Sequence, residues 1–416
     1  MRPSTPKEKL MKAMKGRLRI FTRLTLRQLM KVFWIFPVRK NKVLLESYGG
    51  AFYSCNPKYI SEFLEKQHPG RYDLVWSFVD PDTVLDLSQP QHCFRVVRRH
   101  SIRFYYEYLT AGVRITNSPN QLTFYPKRKN QLVINTWHAG GAYKRTGIAS
   151  EHVQQQDAFE KWSRRTQASI YDLFLSSSPV FTRTNIREAY GYTGRVLESG
   201  MPRNDIFFNS DRVSSSAEKV RTSLGLEGFV VLYAPTYRGG SNKPTASLPV
   251  PMYAIKKGIH NRYGVSTTIL VRDHYFYVKT DSFSSGKVSL DDINLIDVSR
   301  YPDMQELLCA ADILITDYSS CIWDYALLGR PCFLYTPDLA EYEKDDRGFF
   351  TPINEWPGIV CRNEEQLLSE ISDLDEEFCR QKAKEHLEHF RSYEAGKACE
   401  RVERAIRGFI ETGKLE

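Results

Sequence analysis

The pattern of apolar and polar positions predicts a chain of alternating strands and helices. Short apolar runs end in polar turns, and segments with apolar residues at helical spacing follow them. The stretch 313–335 shows the unit most fully. It reads as a buried strand, a turn with Asp317, a helix with Ile322 on its apolar face, and a second strand. Repeats of this kind are typical of a parallel sheet, so we predict an α/β protein.

The length of the chain predicts two domains, because 416 residues are too many for a single hydrophobic core. A loop rich in serine and charged residues runs from Ser210 to Ala217 and marks the predicted boundary. The predicted division is a basic segment at 1–42, a first Rossmann-like domain at 43–210, and a second at 211–416 that ends in charged helices.

Residues 1–42 differ from the rest because they hold 13 Lys or Arg residues and a single acid, Glu8. Apolar residues recur at helical spacing from Leu10 to Leu24, and aromatic residues cluster at 33–36. A basic amphipathic helix beside clustered aromatics favours the surface of an anionic membrane. The alternative is a basic arm that is disordered or binds nucleic acid. No run of about 18 apolar residues exists, so no spanning helix is predicted.

Charge and cysteine usage narrow the class of protein further. The formal net charge of +9 indicates anionic partners. The eight cysteines form no C-x-x-C pair, which predicts buried, reduced thiols in a cytoplasm. His386 and His389 lie on a segment rich in Glu and Lys, which predicts a solvated helix face rather than a zinc site. No metal site is predicted.

Polar residues suited to chemistry follow five of the predicted strands. They are Trp137 with His138, Pro202 to Asp205, Thr236 to Arg238, Arg272 to His274, and Asp317 to Ser320. Open α/β sheets bind ligands at the carboxyl ends of their strands. Arginines and hydroxyl groups suit phosphate oxygens, and histidines suit proton transfer near neutral pH. This inventory predicts an anionic substrate with a diphosphate.

A single cluster of this kind is usually an ordinary loop. Ser319 or Ser320, taken alone, would be an ordinary helix N-cap. His138 and His274 would each be a structural imidazole that is held by hydrogen bonds.

At these residues the sequence resembles the CDP-glycerol glycerophosphotransferase family, the primases and polymerases of wall teichoic acid. The matching segments span residues 41–350 in the family's order: NKVLLESYGG with CNPKYI, NTWHAGGAYKRTG, GMPRND, YAPTYR, VRDHY, ITDYSSCIWDY and RGFF. The resemblance implies two Rossmann-like domains that face a cleft, the GT-B arrangement, at the cytoplasmic face of a bacterial membrane. The first domain would bind the acceptor and the second the nucleotide donor.

The resemblance also implies a role for each matching residue. His138 falls on the proposed general base, and His274 falls on a histidine that contacts the donor phosphates. The donor site is implied at Arg272, His274, Thr236, Arg238, Asp317, Ser319, Ser320 and Arg347. The acceptor loop is implied at Trp137, Gly140 and Gly141. The two glycines also let the backbone approach a ligand closely. This loop departs from the W-H-G-T-P of the polymerases, and the chain lacks their long N-terminal region, so a primase-like or distinct polymer enzyme is expected.

The implied reaction transfers glycerol phosphate from CDP-glycerol to a hydroxyl group of a lipid-linked acceptor and releases CMP. The acceptor would be a saccharide or a polyol-phosphate chain on a polyprenyl diphosphate. The other expected partner is an anionic membrane surface. Nucleic acid is not expected as a partner. No tightly bound cofactor is implied, and a requirement for Mg²⁺ stays open. Alternatives are a CDP-ribitol enzyme, a GT-B glycosyltransferase for a nucleotide sugar, and a non-catalytic basic protein that would leave both histidines without a purpose.

Overall fold

A computed structural model describes residues 6–84, 93–118, 125–149, 158–236, 238–240, 243–245, 250–272, 294–345 and 348–415. The chain divides into two compact units. The first unit comprises the chain up to His138, residues 145–203, and the chain from Tyr393 onward. The second comprises residues 139–144 and 204–392. Neither unit is therefore a single continuous stretch of sequence.

The first unit is built on a parallel sheet of seven strands. Its strands are β1 (Arg39–Glu46), β2 (Asp73–Phe78), β3 (Arg95–Arg98), β4 (Ala111–Thr116), β5 (Leu132–Asn135), β6 (Leu173–Ser176) and β7 (Arg195–Glu198). Their order is β3-β2-β1-β4-β5-β6-β7. The first six follow the order of a dinucleotide-binding sheet, in which the direction of winding reverses between β1 and β4.

The second unit repeats this order in a parallel sheet of six strands. The strands of this unit are β8 (Phe229–Tyr233), β9 (Arg238–Gly240), β10 (Lys243–Thr245), β11 (Thr267–Val271), β12 (Leu295–Asp297), β13 (Ile313–Thr316), β14 (Cys332–Tyr335) and β15 (Ile359–Cys361). The sheet runs β12-β11-β8-β13-β14-β15, and β9 and β10 form a separate antiparallel pair. The switch point of this sheet lies between β8 and β13. The predicted α/β fold with two parallel sheets is confirmed.

Helices join the strands in both units. The α-helices are α1 (Pro6–Leu29), α2 (Cys55–Gln67), α3 (Pro81–Val84), α4 (Ile102–Thr110), α5 (Ala158–Ile170), α6 (Pro179–Phe181), α7 (Ser210–Leu224), α8 (Met252–Tyr263), α9 (Met304–Ala310), α10 (Cys321–Ala326), α11 (Leu339–Asp345), α12 (Glu364–Ser372), α13 (Glu376–His389) and α14 (Ala398–Thr412). A π-helical segment, Thr182–Ala189, follows α6. Short 3₁₀ helices lie at Met30–Ile35, Gly147–Ala149, Pro202–Phe208 and Ile353–Glu355.

The first sheet buries both of its faces, because successive side chains of a strand point to opposite sides. In β1, Val43 and Leu45 pack into one apolar cluster, whereas Leu44 packs into another. The cluster around Val43 also contains Val402 and Ile406 of α14, both completely buried. The last helix therefore belongs to the core of the first unit, although it follows the second unit in sequence.

Helix α1 has the amphipathic character that its sequence predicts. Met14, Leu18 and Phe21 are each more than 60% exposed, so their apolar surface has no cover in the described part of the chain. Met30, in the 3₁₀ helix that follows, is buried against the first sheet. Among the described helices, none combines the length and apolar character that a membrane crossing requires. Membrane binding by α1 stays a prediction.

Candidate functional site

His138 lies just beyond β5, at the carboxyl edge of the first sheet. Its Nδ1 is 2.9 Å from the backbone carbonyl oxygen of Asn117, which follows β4. A carbonyl oxygen can only accept a hydrogen bond, so Nδ1 carries a proton and donates it. In the neutral ring, Nε2 then holds the lone pair. His138 is therefore held in the tautomer that can take up a proton through Nε2.

Asn117 also fixes the loop that follows β1. Its Oδ1 accepts a hydrogen bond from the backbone N–H of Tyr48 at 2.8 Å, and its Nδ2 donates to Ser47 Oγ at 3.0 Å. The Tyr48 ring lies 5.7 Å from the His138 ring, measured between centroids. Asn117 thus joins the chain segments after β1, β4 and β5 at the switch point of the first sheet.

Trp137 is held in a left-handed backbone conformation, with a φ of +53°, that is unfavourable for a bulky residue. Two asparagine side chains support it. Asn135 Oδ1 accepts from the Trp137 backbone N–H at 2.8 Å, and Asn56 Nδ2 donates to the Trp137 carbonyl at 2.9 Å. The indole stacks on the His138 ring, with centroids 4.7 Å apart. The strained residue is therefore part of what orients His138.

Gly140 and Gly141 belong to the short segment of the second unit that follows His138. A Cβ atom on Gly140 would lie 2.2 Å from Cδ1 of Trp323, and one on Gly141 would lie 2.1 Å from Cε2 of Tyr143. Packing against these two rings is enough to require both glycines. Their role, and that of Trp137, in an acceptor loop stays a prediction.

His386 is buried, so the predicted solvated helix face is wrong at this residue, although His389 is exposed. Cys379, Ala383 and His386 form the inner stripe of α13. The Tyr143 hydroxyl donates to His386 Nε2 at 2.9 Å, and His386 Nδ1 donates to the Glu355 carbonyl at 2.7 Å. Burial lowers the pKa of His386 to about 4. It is a neutral, structural histidine at pH 7.

Asp317 joins the two strand ends at the switch point of the second sheet. It follows β13, and its Oδ1 accepts hydrogen bonds from the backbone N–H groups of Thr236, after β8, and Tyr318, at 2.7 Å and 2.6 Å. The carboxylate is almost completely buried. Thr236 Oγ1 is buried and has no hydrogen-bond partner among the described residues. The turn is therefore organised by a carboxylate and leaves one hydroxyl group unsatisfied, at a cost in stability.

Ser319 and Ser320 precede α10, and both are partly exposed. Ser320 stands at the N-cap position without a capping hydrogen bond from its side chain. Ser319 Oγ lies 3.5 Å from the Cys321 backbone nitrogen, which is a long contact. Neither hydroxyl group is thus committed to a strong cap. Because α10 has six residues, its dipole adds little, and the hydroxyl and backbone N–H groups must supply any affinity for an anion.

Of the remaining predicted residues, the structure describes Arg272, Arg238 and Arg203. Arg272 follows β11, and its Nη1 donates to the Tyr301 carbonyl at 2.7 Å. Arg238 begins β9, next to the Thr236 turn. His274 and Arg347 lie outside the described residues. Arg203 is buried in the first unit with Nη1 at 3.3 Å from Cys55 Sγ, so the cluster at 202–205 is not an open phosphate site at this arginine.

The cysteines and acidic residues offer no metal centre within the described ranges, since no three His, Cys, Asp or Glu side chains there form a group that could hold an ion. All eight cysteines are unpaired thiols; Cys93 is exposed and the others are buried. Burial raises the pKa of the Cys309 and Cys361 thiols to about 12. These two thiols therefore remain protonated at neutral pH.

Three known proteins resemble the chain along most of its length. The teichoic acid poly(glycerol phosphate) polymerase of Staphylococcus epidermidis is 30% identical over 376 residues, which cover 88% of this chain and 50% of the relative. The teichoic acid glycerol-phosphate transferase of Staphylococcus aureus is 28% identical over 387 residues, with coverage of 87% and 92%. A solved structure of the wall teichoic acid polymerase TagF, a variant soaked with CDPG, matches with a TM-score of 0.79 and 27% identity, and covers 99% of this chain and 100% of that one.

The chain spans about half the length of the polymerases of Staphylococcus epidermidis and Bacillus subtilis. The model of a family described as CDP-Glycerol:Poly(glycerophosphate) glycerophosphotransferase matches residues 28–408. This range includes both sheets, the loop of His138 and the turn of Asp317. The resemblance inferred from the motifs is thereby confirmed, and the chain belongs to the CDP-glycerol:poly(glycerophosphate) glycerophosphotransferase family.

Proposed function

We propose that the protein transfers glycerol phosphate from CDP-glycerol to a hydroxyl group of a lipid-linked acceptor in the synthesis of teichoic acid or a related polymer. The observation that carries this proposal is the hydrogen bond from His138 Nδ1 to the Asn117 carbonyl. It gives the ring a base-competent Nε2 at the switch point of a nucleotide-binding type of sheet. Membership of a glycerophosphotransferase family supports the same reaction class.

In the proposed reaction, His138 Nε2 removes the proton of the acceptor hydroxyl group. The hydroxyl oxygen attacks the glycerol-side phosphorus of CDP-glycerol and forms the new phosphodiester bond. The bond between that phosphorus and the bridging oxygen breaks, and CMP leaves with the electron pair. The acceptor gains one glycerol phosphate unit. Proton removal by a positioned base typically contributes about 10²–10⁴ in rate.

The second unit supplies the proposed donor site. The unsatisfied hydroxyl of Thr236 and the hydroxyl groups of Ser319 and Ser320 would donate hydrogen bonds to diphosphate oxygens. Asp317 would act indirectly, through the backbone of Thr236. Arg272, Arg238, His274 and Arg347 complete the donor site that the family motifs imply. The cleft implied by the same resemblance is part of this proposal.

Helix α1 would bring the enzyme to its lipid-linked acceptor. Its exposed apolar residues, such as Leu18 and Phe21, and the excess of cations in residues 1–42 suit a helix that lies in the interface of an anionic membrane. The enzyme would thus be peripheral at the cytoplasmic face. Replacing Leu18 and Phe21 by Glu should release the protein from vesicles that contain phosphatidylglycerol, while activity on a soluble acceptor is retained.

The decisive experiment follows nucleotide release by the full chain with a lipid-linked acceptor and one donor at a time. We expect CMP release with CDP-glycerol that depends on the acceptor. Turnover of CDP-ribitol in preference to CDP-glycerol would assign a different polyol. Turnover of a UDP-sugar without CDP-glycerol turnover would replace the proposal with a glycosyltransferase.

A further inference from the structure

The first unit contains a basic pocket at the amino edge of its sheet. The pocket has a volume of about 400 Å³. It lies between α1, the loop before β5, the last turn of α5 and the residue before β6, and its charged residues are Arg27, Lys127, Arg128, Lys129 and Asp172. His138 and Asn117 follow the carboxyl ends of β5 and β4. The pocket is therefore separate from the proposed active-site residues.

The charges in this pocket do not balance, because four cations surround one carboxylate. Lys127 is already committed, since its Nζ donates to the Ile170 carbonyl at 3.2 Å and pairs with Asp172. It thereby offsets both the carboxylate and the carbonyl end of α5. Arg27, Arg128 and Lys129 have no carboxylate partner among the described residues. Their positive charge is left for a ligand or for solvent.

Arg128 is positioned more rigidly than a surface arginine. Its Nη2 donates to the Phe33 carbonyl at 3.1 Å, and its guanidinium lies 5.5 Å from the centre of the Trp34 ring. Its Nε is buried and lacks a hydrogen-bond partner in the described part of the chain. Burial lowers the pKa of Arg128 and of Lys127. A bound anion would offset the cost of holding these cations away from water.

Arg114, on β4, adds a further positive charge to this region. It is 3% exposed, and none of its three guanidinium nitrogens has a hydrogen-bond partner among the described residues. Its guanidinium lies 4.4 Å from the centre of the Tyr108 ring. Its charge contributes to the lowered pKa of Lys127. Arg114 therefore adds to the positive charge near Lys127, although it does not line the pocket.

We propose that this pocket binds a phosphate ester, at a site that does not depend on the proposed transferase reaction. The Arg128 and Arg27 guanidinium groups suit phosphate oxygens, and Thr166 adds a hydroxyl group to the lining. The Ser169 hydroxyl also lines the pocket, but it donates its proton to the Thr166 carbonyl at 2.9 Å. The surroundings favour a phospholipid headgroup as the source. Leu26 and Leu29, beside Arg27 on α1, are exposed. The Trp34 ring lies against the Arg128 guanidinium, and tryptophan rings favour the headgroup level of a membrane.

The test compares two double variants with equal loss of charge. Arg27→Gln/Lys129→Gln removes two cations from the pocket and leaves the structural contacts of Lys127 and Arg128 in place. Lys15→Gln/Arg17→Gln removes two exposed cations of α1 that do not line the pocket. The probes are inorganic phosphate and a short-chain phosphatidylglycerol below its micelle concentration, with binding measured by NMR titration. Thermal unfolding and CMP release on a soluble acceptor check that each variant folds.

We expect binding to weaken about tenfold or more in the pocket variant, the scale of one lost charge-assisted hydrogen bond, and less than about twofold in the control. If only the lipid binds, the phosphate comes from a headgroup. If inorganic phosphate also binds, the site accepts phosphate in general. Failure of both probes to bind, or an equal loss in the two variants, would overturn the proposal. CMP release should stay unchanged, so the transferase proposal stands or falls separately.

Discussion

At the switch point of the first sheet stands a histidine whose ring is fixed by a backbone carbonyl. At the same point of the second sheet stand a buried carboxylate and the hydroxyl groups of Thr236, Ser319 and Ser320. The two sheets share the strand order that creates this point. Topology therefore indicates where a ligand can bind. In our proposal, the few residues after each strand then decide whether that edge takes up a proton or holds an anion.

The strongest test of the comparison removes the proposed base from the first unit. His138→Gln should lower the rate of CMP release by about 10²–10⁴ with little change in CDP-glycerol affinity, because the donor is assigned to the second unit. Steady-state kinetics and donor titration measure the two effects. The control is His260→Gln. His260 is an exposed residue of α8, and its Nδ1 also contacts a backbone carbonyl, that of Val265 at 3.2 Å. Near-normal turnover in His138→Gln would remove the first unit from the chemistry.

The next test concerns the carboxylate of the second unit. Asp317→Ala removes the acceptor of two backbone hydrogen bonds and should lower the free energy of unfolding by about 3 kcal/mol or more. Asp317→Asn keeps an Oδ1 acceptor and should recover most of that loss. Urea unfolding, monitored by tryptophan fluorescence, measures both. Equal destabilisation by the two variants would mean that charge, rather than hydrogen bonding, organises the turn.

A third test concerns the pH dependence that His386 should give to the stability of the second unit. Its pKa is about 4 in the folded protein and 6.5 in an ordinary environment, so the unfolded chain binds a proton at higher pH than the folded one. Above about pH 6.5 His386 is neutral in both states, and its contribution to the free energy of unfolding is complete. As the pH falls towards 4, the free energy of unfolding decreases by about 3 kcal/mol in total. Urea unfolding between these pH values should show this slope. His386→Gln should lack this part of the slope; an unchanged slope would contradict the assignment.

The smallest effects should distinguish the two serines from ordinary helix caps. Ser320→Ala should change the free energy of unfolding by less than about 0.5 kcal/mol, because its side chain makes no capping hydrogen bond, while the KM for CDP-glycerol rises about fivefold to tenfold. Ser319→Ala should behave similarly. A loss of about 1 kcal/mol in stability without a change in KM is the signature of a cap, and it would take the serines out of the donor site.

Much of this comparison could be predicted from the sequence, because it depends on local signals. Short apolar runs located the strands, and His138 and Asp317 drew attention because they directly follow such runs. The family motifs then supplied the chemistry. The residues that hold His138 were missed. Asn117 is 21 positions away and Asn56 contacts Trp137 from 81 positions away, and no local pattern indicates which strand ends become neighbours.

The sequence also failed to predict which polar residues are buried. The prediction for His386 was based on its charged neighbours on α13. Cys379, Ala383 and His386 lie on the same side of this helix, and that side is buried. The sequence shows the period of a helix but not which side meets the core when both sides are partly polar. Arg203 shows the same difficulty, since an arginine after a strand looked like a phosphate ligand and is buried instead.

The position of α14 has a consequence for the order in which the protein can be made. Val402 and Ile406 complete the core beneath β1, but a ribosome adds them after the strands of both sheets. The second unit has its residues available by Ser392, so it can fold while synthesis continues. The first sheet, although translated first, must wait with one face open until α14 has been made. Its exposed apolar strands are then the part of the nascent chain that most needs protection from aggregation.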